Sequence, residues 1–159
     1  MQGAFGAMQQ GMQGMPGMGS GAAPGGARPT KRNAVMTLLI PFGLSLGNIL
    51  ATALVMVTEV TALAVLGNLF SLAAFVIALL SIIKMTNELK SVTGNASLAW
   101  WPILVPFYNL YWACVVIPGE MAKAKQMWGV QRPPRGIIVY FFLFLYAFAA
   151  DLNDLATAA

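Results

Sequence analysis

The chain has 159 residues, 58% of them hydrophobic and 9% charged, with a net charge of +4. Soluble domains carry about 25% charged residues, so a water-exposed globule of ordinary design is excluded. The absence of histidine removes the commonest general base and the commonest metal ligand.

Residues 1–33 hold nine Gly, three Pro and five Met. Such a stretch buries too little apolar area to offset its ordering entropy, which predicts a disordered tail. It closes on a basic collar, Arg28, Lys31 and Arg32, suited to anionic lipid headgroups. The thioethers of Met8, Met12, Met15 and Met18 are spaced to hold soft Cu(I), although a composition-biased linker is the plainer reading.

Residues 33–58, 60–83, 91–119 and 136–150 contain no charge. Apolar runs of this length read as membrane spans. The first segment, 34–57, is long enough for a hydrocarbon core about 30 Å thick, and Pro41 near its start favours a kink. The second, 60–83, follows after Thr58-Glu59, a turn short enough to force an antiparallel hairpin.

Asn48 and Asn68 sit at similar distances from Glu59. Their amides are predicted to lie within hydrogen-bonding distance, the alternative being that each bonds its own helix backbone. Gly43, Gly47 and Ala51 recur every four residues, a small-residue stripe for close helix packing within the chain or in a dimer.

Ile82, Met85, Leu89 and Val92 share one helical face, so the second helix is predicted to continue as an amphipathic extension to Gly94-Asn95. Segment three, 98–117, carries Trp100 and Trp101, then Pro102, Pro106 and Asn109. The tryptophans suit a headgroup boundary, and the prolines disfavour a regular span. Cys114 within it permits no intrachain disulfide and reads as a small buried hydrophobe. A second amphipathic, interfacial helix is predicted around Met121, Ala124 and Trp128, ending at Gly129. Pro133-Pro134 breaks the chain before segment four, 136–150, which is a little short for a full crossing.

The predicted fold is thus an all-α integral membrane protein. It is a small bundle of three to four hydrophobic helices with two amphipathic connecting helices, spanning 34–159. If all four segments cross, five basic residues oppose four and charge gives no orientation. If segment three re-enters, all nine Lys and Arg share one face and Glu59, Asp151 and Asp154 share the other. Both arrangements put the N-terminal tail in the cytoplasm.

From Tyr108 onward the chain resembles a family of small bacterial membrane proteins known only as a domain of unknown function. The resemblance covers about a third of the chain. It rests on Tyr108, Tyr111 and Trp112, then Glu120, Lys123 and Lys125, then Gly129, Pro133 and Pro134, and finally Asp151, Leu152 and Asn153. Pro106-Phe107 stand where members usually have Gly-Ile or Gly-Val. The family has no assigned chemistry, so the resemblance implies a multi-pass protein of the bacterial inner membrane.

No convergent set of acid, base and nucleophile is visible, so no enzyme, cofactor or small-molecule substrate is expected. Asp151 and Asp154 share a helical face but read as a polar helix end at the bilayer surface. The basic residues flank apolar runs, which suits lipid and not nucleic acid. The expected partners are the bilayer and a membrane protein or second copy, in a structural, adaptor or accessory role. A small transporter or channel component is the alternative. The residues expected to serve are Gly43, Gly47, Ala51, Asn48 and Asn68 in helix packing. Trp100, Trp101, Tyr108, Tyr111, Trp112 and Trp128 are expected at the interface. Arg28, Lys31, Arg32, Lys123, Lys125, Arg132 and Arg135 are expected on headgroups.

Overall fold

The computed structural model describes residues 27–58 and 60–158. Met8, Met12, Met15 and Met18, the tail before residue 27, and Glu59 lie outside the described residues. Every regular element among the described residues is helical.

Helix α1 spans Ala34–Thr58 and helix α2 spans Thr61–Thr93. The Asn33 side chain caps α1, its Oδ1 accepting from the amides of Val35 (3.1 Å) and Met36 (3.2 Å). Gly94 stops α2 by turning left-handed, φ 67°, as the Gly94-Asn95 signal predicts. The short turn between the helices makes them an antiparallel hairpin.

Both helices are long and apolar enough to cross a membrane. Only 11% of each apolar window is buried within the chain. Ile49, Leu50, Leu54, Leu69, Leu72 and Phe75 all stand exposed.

The hairpin packs through small residues. A Cβ on Gly67 would lie 2.8 Å from Asn48 Oδ1 and 3.2 Å from the Ala51 Cβ, and one on Gly47 would lie 3.1 Å from the Phe70 ring. Gly47 and Ala51 therefore serve as expected, whereas Gly43 meets nothing within 4 Å. The expected Asn48–Asn68 pair is corrected. Gly67, one residue earlier, takes the place opposite Asn48, and one helical step of about 100° turns Asn68 outward, where it is exposed.

The dense core lies at the open end of the hairpin, around the last three turns of α2. Ile82, Met85, Leu89 and Val92, the face read from the sequence, are all buried. They meet the rest of the chain, not a lipid interface.

Segment three reverses. A 3₁₀ turn, Trp101–Leu104, leads to Phe107, which holds φ 63°, and the chain returns as α3 (Tyr108–Tyr111), a π-helical stretch (Trp112–Val116) and α4 (Ile117–Met127). Pro118 has no N–H to offer the Cys114 carbonyl and its ring crowds that oxygen, so the ladder widens just before it. Gly129, φ 68°, ends this run as expected. Met121 and Ala124 are fully buried, so α4 packs that face on the core.

Segment four also reverses, which corrects its reading as a single apolar segment. It breaks at Leu143 into α5 (Ile137–Phe142) and α6 (Phe144–Thr157), and the fold-back brings Arg135 against Asp151. The two reversals are neighbours, since the Trp112 and Phe144 rings lie 5.8 Å apart. The fold-back of segment four lies along the hairpin. The backbone of Arg32, just before α1, is bound to Asn153, near the end of α6, and α6 packs along α1. The shared length must therefore run from Asn153 back towards Phe144.

Candidate functional site

The final helix carries Asp151-Leu152-Asn153-Asp154, and each side chain serves a different neighbour. Leu152 is buried in the core. Asn153 grips the backbone of Arg32 twice, its Oδ1 accepting from the Arg32 amide (2.8 Å) and its Nδ2 donating to the Arg32 carbonyl (2.5 Å). The Arg32 guanidinium in turn pairs with Glu88 of α2. The chain entering α1 is thus tied to α6 and α2 together.

Asp151 and Asp154, three residues apart, share a face of α6. Lys125 of α4 reaches both, its Nζ 2.7 Å from Asp151 and 2.8 Å from Asp154, and also donates to the Pro133 carbonyl at 3.3 Å. Arg135 pairs with Asp151 and with Asp154 (2.9 Å), and its backbone amide donates to Asp151 (3.1 Å). The Tyr140 hydroxyl donates to Asp151 at 2.7 Å. Arg132 closes the outer edge on Asp154 at 3.1 Å. Lys125 is 2% exposed and Asp151 is 0% exposed, so this is a buried ion cluster with a solvent-facing rim.

Burial alone would push the Asp154 carboxyl up, but Lys125 and Arg135 outweigh it and hold that carboxyl below its ordinary range. Burial works against the Arg135 charge too, and the same carboxylates outweigh it, so the guanidinium titrates above its ordinary value. Burial pushes the Tyr140 phenol well above its usual range, with the Asp151 charge acting in the same direction. Asp151 receives four donors from three residues. The chemistry supported is cross-linking by charge: one cluster joins α4, the Pro133–Arg135 break, α5 and α6.

Several sequence-predicted sites change character. Lys125 is enclosed and Arg135 largely so, and both bind carboxylates instead of headgroups. Arg32 is likewise paired, while Arg28, Lys31, Lys123 and Arg132 are exposed. Asp151 and Asp154 stand with these basic residues, not on an opposite face. Trp112 is 2% exposed, which corrects its interfacial assignment, while Trp100 and Trp128 are half-buried against the core. Trp101, Tyr108 and Tyr111 are exposed. Tyr140 was not singled out from the sequence. Its signal was a phenol in an otherwise apolar stretch that it shares with Tyr146, a group that needs a partner once buried.

No protein-family model, curated protein or solved structure matches this chain.

Proposed function

We propose that this chain is a non-enzymatic membrane protein, an adaptor or accessory subunit that crosses a bilayer twice and holds its remaining helices against one face. One observation carries the reading: the hairpin exposes its apolar side chains over most of its length, while the dense core sits only at its base. Helix α1, about 37 Å long, fits a hydrocarbon core of about 30 Å.

In this arrangement the two reversals dip into the near leaflet without crossing. Phe107 is 89% exposed and Phe142 is 73% exposed, and these reversals are the apolar points of the base. From Asp151 back to Phe144 is about 10 Å of helix, less than one leaflet's hydrocarbon depth of about 15 Å. All nine Lys and Arg then share the side of the base, and Glu59 is the one ionisable residue between 33 and 83. Charge bias makes that side cytoplasmic. The resemblance to small bacterial membrane proteins at Tyr108, Trp112 and Asp151 supports the bacterial inner membrane as the setting. The exposed rim of the base, including Lys123, Gln131 and Arg132, is the surface offered to headgroups or to a partner.

The test is a set of reporter fusions combined with carbonate extraction. Alkaline phosphatase inserted at Glu59 is expected to be active, and fusions after Gln131 and Ala158 inactive. Activity after Gln131 would remove the two-crossing arrangement, and release by carbonate would remove the membrane reading altogether.

A further inference from the structure

Asn68 is a lone amide on the outer face of α2, within an uncharged apolar run. Ser45, Thr52, Thr58 and Ser81 of the hairpin each donate to a carbonyl four residues earlier in their own helix. Asn48 is turned inward over Gly67. Among the described residues no side chain or carbonyl partners the Asn68 amide. Its position is seven residues into α2, about 10 Å from the start of the helix. In the two-crossing arrangement that depth is hydrocarbon, where an unpartnered amide is costly.

We infer that Asn68 pairs with Asn68 of a second copy of this chain. An amide both donates and accepts, so two copies related by a two-fold axis satisfy each other with one residue type. Ser71 and Phe75 continue the same row of α2 and, with Ser45, Ala74 and Ala78 among the bulkier Leu38, Pro41 and Phe42, line an open groove between the helices that begins one turn beyond Asn68. Small residues at such a surface let helices approach, and the amide pair fixes their register. This inference rests on the membrane reading above and names the partner left general there.

The experiment uses the full chain in liposomes of phosphatidylethanolamine and phosphatidylglycerol, after carbonate washing has shown that it stays in the bilayer. In a Cys114→Ala background, Asn68→Cys is expected to cross-link into dimers on mild oxidation. Leu69→Cys, turned about 100° away, is expected to cross-link far less. Energy transfer between labelled chains reads the equilibrium. Asn68→Leu is expected to raise the dimer dissociation constant about tenfold, whereas Asn68→Gln, which keeps the amide, stays within about threefold of the parent. Equal dimerisation of the parent and Asn68→Leu overturns the pairing, as does equal cross-linking at 68 and 69. So does cross-linking of Asn68→Cys in native membranes to a different protein alone. If the parent washes off, the membrane reading fails; if it stays and the 68 variants behave alike, only the pairing fails.

Discussion

Replacing Asp151 by leucine removes the one acceptor that the buried ion cluster cannot replace. Lys125 and Arg135 retain Asp154, but the Tyr140 hydroxyl and the Arg135 amide lose their acceptor. Breaking a buried ion pair from one side costs about 3–5 kcal/mol. Each orphaned buried donor costs about 1–3 kcal/mol, and these terms overlap within one network. A total near 3–5 kcal/mol follows, equivalent to a fall in Tm of about 10–20 °C for a body of this size. Tyr140→Phe removes one donor from a carboxylate that keeps three, so it should cost only about 1–2 kcal/mol. The assay is thermal unfolding in detergent micelles, followed by near-ultraviolet circular dichroism, because Trp100, Trp112 and Trp128 all pack on the core at the base. Their signal should disappear before the helical signal of the hairpin. The reasoning fails if Asp151→Leu melts no lower than Tyr140→Phe.

Acid and base should both loosen the base, with opposite assignments. The Asp154 carboxyl is held below its unfolded value of about 3.9, so its contribution is full above that pH and is lost as pH falls through the folded value. Tyr140 and Arg135 titrate above their unfolded values, so their contribution is full below about pH 10, where the unfolded phenol ionises, and is lost at higher pH. Melting temperature against pH should show a plateau between, and Tyr140→Phe should flatten the alkaline arm. In the hairpin, Gly67→Val should destabilise by about 1–3 kcal/mol, because its branched side chain meets Asn48 and Ala51, while Gly47→Ala needs only a small shift of the Phe70 ring. Unfolding in mixed micelles would rank the two. Asn153→Ala should free the chain before α1, and faster tryptic cleavage at Lys31 and Arg32 would report it.

The sequence was most legible where periodicity and end signals agreed. The face formed by Ile82, Met85, Leu89 and Val92 and the stops at Gly94 and Gly129 follow from helical spacing and from glycine's access to positive φ. Register was less legible. The Asn48 and Asn68 offsets from the turn differ by two residues, and a rotation of one residue is enough to put Gly67 where Asn68 was expected. The ion cluster was missed for another reason. Its members come from positions 125, 132, 135, 151 and 154, and each read singly looks like a surface charge near an apolar run. Only the reversal of the segment between them makes them neighbours, and no local pattern announces it: Leu143, where the helix breaks, is an ordinary helix former.

That reversal has an electrostatic cause. Arg135 and Asp151 bracket the apolar stretch 136–150, and as a straight helix that stretch would hold them about 24 Å apart. At such a separation Arg135 has no acid within reach, and if α6 moves away it takes Asp151 and Asp154 from the enclosed Lys125 together. Folding back at Leu143 returns Asp151 to both cations and carries the Tyr140 hydroxyl to the same oxygen that accepts from the Arg135 amide. The break leaves Leu143 at φ −130° and ψ 45° but keeps its amide bonded to the Val139 carbonyl at 2.7 Å. One distorted residue is a small cost beside several desolvated charges that would otherwise stand unpaired. The ends of the segment, not its hydropathy, therefore decide that it turns.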